Sequence, residues 1–202
     1  MLKKSLIVLL LVVFSSITIA KNNTSSSFKE AIFGGGCFWC LEADFDKLPG
    51  IKKTISGYDG GVRKNPTYSY VASGKSKYVE VVKVLYDPKI ISYKKLVNYY
   101  WKHIDPTVKD AQFCDHGPQY RSVIFYLNSE QEKISKKSKG YVGNLFPKQK
   151  VYTDVLKSTH FYTAEKYHQN YYKKNPLRYK YYRWNCERDQ KVKEVWHGKQ
   201  MD

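Results

Sequence analysis

Apolar and polar positions alternate most regularly between Lys77 and Tyr86. On an extended chain this puts Tyr78, Glu80, Val82, Val84 and Tyr86 on one face and Val79, Val81, Lys83 and Leu85 on the other. Shorter apolar runs predict strands over Phe28 to Phe33, Ile51 to Tyr58, Ser122 to Leu127 and Val151 to Leu156. Between them the period changes. Leu96, Val97, Tyr100 and Trp101 recur at helical spacing behind a Ser92 cap, and Ser129-Glu130-Gln131-Glu132 reads as a capping box for the next helix. A helix is also expected from Cys37 to Leu48, stopped by Pro49-Gly50, and a short one from Asn65-Pro66-Thr67-Tyr68 to Ser73-Gly74. Thr163 is the expected cap of a helix over Ala164 to Lys174, ended by Asn175-Pro176. From Thr107 to Tyr120 there is no period, and from Leu177 to Asp202 the chain is aromatic, basic and weakly periodic. Strands alternating with helices predict an α/β (α+β) single domain, a two-layer sandwich of one mixed β-sheet with flanking helices and a long C-terminal coil.

The first twenty residues do not fit that sandwich. Lys3 and Lys4, the apolar run Leu6 to Phe14 and the small residues Thr18-Ile19-Ala20 read as a signal peptide over 1–20, followed by a polar linker over 21–27 and the catalytic domain over 28–202. An uncleaved membrane anchor is the alternative; the apolar run is short for a span, so no stable membrane insertion is expected once the leader is removed. Export to a periplasmic setting would let the four cysteines cycle between thiol and disulfide. The net charge of +17 would suit a nucleic acid, but the lysines are scattered through the chain and form no basic arm. The charge therefore reads as a solvated surface with no nucleic-acid partner, and the chain is expected to be a monomer.

The chemistry gathers at Gly34-Gly35-Gly36-Cys37-Phe38-Trp39-Cys40. Three glycines let the backbone turn sharply and approach a ligand, and Cys37 falls at a helix start, where the helix dipole favours a thiolate. A buried cysteine can equally be an inert small hydrophobe, and Phe38 and Trp39 can be core residues. The C-x-x-C spacing alone does not fix a role. Zinc would need a second paired set, which Cys114 and Cys186 do not provide, and haem attachment would need His where Leu41 stands. A thiol–disulfide oxidoreductase using Cys37 and Cys40 is the competing enzyme reading. Glu80 shares its face with valines and tyrosines: buried, its carboxyl would hold a proton near neutral pH, and on an edge strand it would face solvent as an ordinary glutamate. Polar residues crowd the irregular stretch Cys114-Asp115-His116-Gly117 to Gln119-Tyr120-Arg121, as sites on loops often do.

Taken together, Gly36-Cys37-Phe38-Trp39, Gly57-Tyr58 with Gly60-Gly61, Asn65-Pro66-Thr67-Tyr68, Glu80 ahead of Tyr86-Asp87-Pro88, Asp115-His116-Gly117 with Gln119-Tyr120-Arg121-Ser122, and Tyr167-His168-Gln169 resemble the A-type peptide methionine sulfoxide reductases, from about Phe28 to Asp189. The expected core is then ferredoxin-like. The resemblance implies that Cys37 attacks the sulfoxide sulfur, that Phe38 and Trp39 hold the substrate methyl group, that Glu80 protonates the sulfoxide oxygen, that Tyr68 and Tyr120 hydrogen-bond that oxygen, and that Asp115 organises the pocket. The substrate would be methionine-(S)-sulfoxide, free or in oxidised proteins. No cofactor or metal is implied, only an external dithiol reductant such as thioredoxin or a periplasmic equivalent. The sequence departs from many relatives in having Cys40 in place of glycine, Cys114 in place of asparagine, Lys77-Tyr78-Val79 in place of Gly-His-Ala, and a Tyr-rich tail. Cys186, on a tail expected to be mobile, is the first choice for the resolving thiol, followed by Cys40, with Cys114 expected to be structural.

Overall fold

The computed structural model describes residues 28–201; the expected leader and linker lie outside the described residues. In chain order the elements are β1 (Lys29–Gly34), α1 (Phe38–Phe45), β2 (Ile51–Asp59), α2 (Tyr68–Ala72), β3 (Val79–Tyr86), α3 (Tyr93–Trp101), β4 (Ala111–Gln112), β5 (Asp115–His116), a 3-10 turn (Pro118–Tyr120), β6 (Val123–Tyr126), α4 (Ser129–Leu145), β7 (Asp154–Lys157), β8 (Tyr162–Thr163), α5 (Tyr171–Lys174), α6 (Pro176–Asn185) and α7 (Arg188–Val195). Six strands form one sheet in the order β7-β6-β1-β3-β2-β8, antiparallel except for the β6–β7 pair, while β4 and β5 make a separate ribbon. The four inner strands, with α1 and α3 as crossovers, run β-α-β-β-α-β in the spatial order β6-β1-β3-β2, which is the ferredoxin-like arrangement.

The alternating run is β3, and it lies between β1 and β2 rather than at an edge. Its two faces pack differently. Val82, Val84 and Tyr86 join Phe33, Leu41, Phe45, Leu96, Val97 and Tyr100 under α1 and α3, whereas Val79 and Val81 join Ile32, Val123 and Phe125 on the reverse face, against Phe161. Phe33 carries much of the first cluster, stacking on Phe45 and on Tyr100 at 5.0 Å each. Each such side chain, fully buried, contributes about 1.5–3 kcal/mol.

Three expectations need correction. The cap of α4 is Asn128, one residue before the predicted box: its side chain accepts from the Gln131 N–H, and the Gln131 side-chain Oε1 accepts from the Leu127 N–H. No helix runs from Ala164; only Tyr171–Lys174 is helical, because the side chains of the preceding turn are taken up by tertiary bonds. Glu165 accepts from Tyr58 Oη and the Tyr68 N–H, and Gln169 pairs with the Ser56 backbone in both directions. The C-terminal stretch is not coil. Pro176 starts α6 at its first turn, and Glu187, in the left-handed conformation, separates α6 from α7.

Candidate active site

The backbone leaves β1 through Gly35 and Gly36, and both positions require glycine. A Cβ at Gly35 would lie 2.6 Å from Ile104 Cγ2; at Gly36, where φ is +82°, it would lie 2.8 Å from Gln112 Cβ. The turn is tied to the 3-10 segment by the Gly36 N–H, which donates to the Tyr120 carbonyl at 3.0 Å. Cys37 follows as the N-cap of α1, with no side-chain cap of its own. Two carboxyls satisfy the open N–H groups there. Asp115 Oδ2 accepts from the Cys37 N–H at 3.2 Å, and Glu80 Oε2 accepts from the Phe38 N–H at 3.1 Å. The strand alternation thus delivers Glu80, 1% exposed, to the start of α1 rather than to solvent.

Burial sets the proton inventory. It pushes the Glu80 carboxyl up to about 8, with the neighbouring Asp115 and Cys40 adding to the rise against the Phe38 N–H, so the group is an acid at neutral pH. Cys37 and Cys40 are both free and buried, and their thiols are hydrogen-bonded to each other. The helix end that would favour a thiolate at Cys37 is opposed by burial. Burial pushes the Cys37 thiol up, and the Cys40 sulfur, Glu80 and Asp115 push it further. Cys40 is pulled down, first by the hydrogen bond from Cys37 and then by the fields of Arg188 and Arg183. The two sulfurs are thus shifted in opposite directions.

Cys37, Phe38, Trp39, Tyr68, Glu80, Asp115, Tyr120 and Tyr182 line one pocket of about 90 Å³, sized for the end of a side chain. A larger cleft of about 790 Å³ between α6 and α7 contains neither Cys37 nor Glu80. The Tyr68 and Tyr120 hydroxyls are hydrogen-bonded to each other beside Glu80, and burial pushes Tyr68 up to about 12, so both are donors at any physiological pH. The aromatic wall is braced from behind. Trp39 stacks on Tyr171 at 3.7 Å, and its indole N–H donates to His168 Nδ1 at 3.1 Å. The His168 ring packs on Phe38 and Tyr68, and burial lowers it to about 4, which keeps it neutral and able to accept that proton.

The structure brings together seven of the nine side chains named from the sequence in this pocket, with Cys40 outside its lining but hydrogen-bonded to Cys37. Cys186 is placed differently. It is buried at the C-cap of α6 and disulfide-bonded to Cys114, across 72 residues, so it is neither on a mobile tail nor free. Tyr182 and Arg188 carry no signal in the sequence, and His168 appears there only within the motif Tyr167-His168-Gln169, with no role attached. Tyr182 donates to Asp115 Oδ1 at 2.6 Å and so orients the carboxyl that holds the Cys37 N–H. It sits one helical turn before Cys186, a spacing that only the observed α6 makes informative. No group of three or more His, Cys, Asp or Glu among the described residues could hold a metal ion.

Comparison with known proteins agrees with this geometry. Residues 29–200 match the family described as peptide methionine sulfoxide reductase. The chain is 45% identical over 175 residues to the peptide methionine sulfoxide reductase MsrA/MsrB of Vibrio cholerae, covering 86% of this chain but only 46% of that longer protein. It is 44% identical to the MsrA of Halalkalibacterium halodurans, covering 83% of this chain and 96% of that one. Among solved structures, reduced Mxr1 from Saccharomyces cerevisiae superposes with a TM-score of 0.70 at 31% identity, over 75% of this chain and 88% of that one. The same yeast protein has also been solved in complex with Trx2. With the family matched along nearly all of the described residues and its fold reproduced, the chain belongs to the peptide methionine sulfoxide reductase A family and is a peptide-methionine (S)-S-oxide reductase.

Proposed function

We propose that Cys37 attacks the sulfoxide sulfur while Glu80 protonates the oxygen, and that Cys40 resolves the product. The observation that carries this reading is the sharing of one small pocket by a buried nucleophilic sulfur and a carboxyl that is protonated at neutral pH. Cleaving S–O needs both partners at once, because an unprotonated oxygen would leave with too much charge. The Tyr68 and Tyr120 hydroxyls donate to that oxygen, and the faces of Phe38 and Trp39 receive the methyl group.

The protons balance within the site. As Cys37 Sγ bonds to the substrate sulfur, its proton passes along the existing hydrogen bond to the Cys40 thiolate, and Glu80 gives its proton to the oxygen. The hydroxyl then moves to Cys37, which becomes a sulfenic acid, and the thioether departs. Cys40 next attacks the sulfenic sulfur. The S–S bond forms, the S–O bond breaks, and the leaving hydroxide takes the Cys40 proton to become water. A dithiol reductant of the thioredoxin kind, the class of partner with which the yeast protein has been captured, returns two electrons and two protons by thiol–disulfide exchange. The N-terminal basic and apolar pattern supports an exported enzyme, which cell fractionation with and without residues 1–20 would test.

Purified protein with dithiothreitol is expected to convert only the S epimer of N-acetyl-methionine sulfoxide to the thioether, and Cys37→Ser to abolish the conversion. Activity persisting in Cys37→Ser would rule out the assignment.

A further inference from the structure

Glu42 is buried on α1, 0% exposed, and takes no part in the proton transfers at Cys37. Its Oε1 accepts from the Asn170 N–H at 3.1 Å, and its Oε2 has no hydrogen-bond partner. Leaving a buried carboxyl oxygen unpaired is unfavourable, so an apolar side chain would suit position 42 better unless Oε1 has a task. Burial pushes the carboxyl up to about 7, against the Asn170 N–H. About half of the molecules then carry it protonated at neutral pH, and Oε1 accepts in either state.

The segment it holds stands directly behind the aromatic wall. Trp39, Glu42 and Asp46 recur at spacings of three and four, so they share one face of α1 and its C-cap, and that face takes up the chain from His168 to Lys173. Trp39 donates to His168 Nδ1 at 3.1 Å and stacks on Tyr171 at 3.7 Å, with the rings 7° from parallel. Asp46 Oδ2 accepts from Tyr172 Oη at 2.6 Å and from Lys173 Nζ at 2.7 Å. Glu42 lies between these two fastenings and grips the main chain rather than a side chain. The backbone there is left-handed, with φ +53° at Asn170, a conformation that persists where its surroundings hold it. The next residue, Tyr171, is the one that lies flat on Trp39.

We propose that Glu42 is a positioning residue for the methyl pocket: by accepting from the Asn170 N–H, its carboxyl fixes the chain from His168 to Tyr171 behind Trp39 and so sets how tightly that wall closes on the substrate. The proposal rests on the reading of Trp39 as a wall that receives the methyl group. It adds a residue outside the pocket lining that governs which alkyl sulfoxides the pocket accepts.

Three variants separate the bond from bulk. Glu42→Met keeps the length and removes the acceptor, Glu42→Gln keeps the acceptor without a charge, and Trp39→Phe shrinks the wall itself. Full-length enzyme with dithiothreitol is assayed on N-acetyl-methionine-(S)-sulfoxide and on its S-ethyl homologue, with folding checked by circular dichroism and a cooperative melt. An apolar pocket discriminates by about 10–200-fold over one methylene. In Glu42→Met the methyl-over-ethyl ratio of kcat/KM is expected to fall about tenfold, mostly through a raised KM for the methyl substrate, whereas Glu42→Gln keeps the parent ratio. A folded Glu42→Met with the parent ratio, or a Glu42→Gln that loses it equally, would overturn the proposal. Should Glu42→Met fail to fold, Glu42→Asp, which withdraws the acceptor by one methylene, is read in the same way. An unchanged ratio in Trp39→Phe would overturn the methyl-wall reading and the proposal with it; a lowered ratio there, beside a parent ratio in Glu42→Met, would overturn the proposal alone.

Discussion

Replacing Glu80 by Gln removes one proton and little else. The amide still offers an oxygen to the Phe38 N–H and keeps the volume, so α1 should start as before. With its pKa at about 8, Glu80 is roughly nine-tenths protonated at pH 7, whereas at the ordinary 4.5 fewer than about one in a hundred would be. Burial of the carboxyl on a central strand thus makes the acid available, at a cost of about 5 kcal/mol for the 3.5-unit rise, an order-of-magnitude figure. Losing a positioned general acid slows reactions by about 10²–10⁴-fold, and Glu80→Gln is expected to lower kcat on N-acetyl-methionine sulfoxide within that range, with KM little changed. The parent rate should decline as pH rises through about 8, where the native carboxyl ionises, and that limb should vanish in the variant. Stability follows the same group. Its contribution is full below about pH 4.5 and is lost as pH rises towards 8, so thermal melts of the parent should fall across that window more steeply than those of Glu80→Gln. An unchanged rate, or an alkaline limb that survives in Glu80→Gln, would refute the general-acid argument.

Cys40→Ser should release one equivalent of thioether and then stall, with a sulfenic acid on Cys37 that dimedone traps; sustained turnover with a Cys37–Cys186 disulfide in its place would restore the tail cysteine as resolver. Breaking the Cys114–Cys186 bond in a Cys114→Ser, Cys186→Ser double variant removes a 72-residue cross-link, worth about 4 kcal/mol by the loop-entropy relation, and calorimetry should show a correspondingly lower Tm. Tyr182→Phe leaves Asp115 Oδ1 without its 2.6 Å donor, and kcat is expected to drop about tenfold, the scale of losing one hydrogen bond that orients a group, while the melt moves little.

Local rules served well where local forces dominate. The alternation of β3 named the face that carries Glu80, the Ser92 cap placed α3, and the three glycines marked the turn before Cys37. The sequence was least legible where distant partners compete with local preference. Asn128 displaced Ser129 as the cap because Gln131 is engaged with the Leu127 N–H and the Glu30 carbonyl. The turn from Ala164 to Asn170 gave up helical bonds so that Glu165, His168 and Gln169 could bind β2 and the aromatic wall. The tail looked like coil because its tyrosines and lysines show no strong period; its helices are held by Arg183, Arg188 and Cys186, each contacting residues 70 or more positions away. The opposite shifts of the two sulfurs were likewise beyond local reading, since they follow from burial, from the Cys37–Cys40 hydrogen bond and from arginines that arrive on α6 and α7.

The most direct test of the mechanism follows the oxygen itself. Reduced protein is mixed with one equivalent of N-acetyl-methionine-(S)-sulfoxide labelled with oxygen-18, quenched in acid at intervals and mapped by mass, while a parallel dimedone quench, which expels the sulfenic oxygen as water, locates the oxidised cysteine. The account predicts one equivalent of thioether, label in the sulfenic acid of Cys37 at early times, and a Cys37–Cys40 disulfide with labelled water later. Label on any other residue, or thioether formed without modification of Cys37, would contradict it.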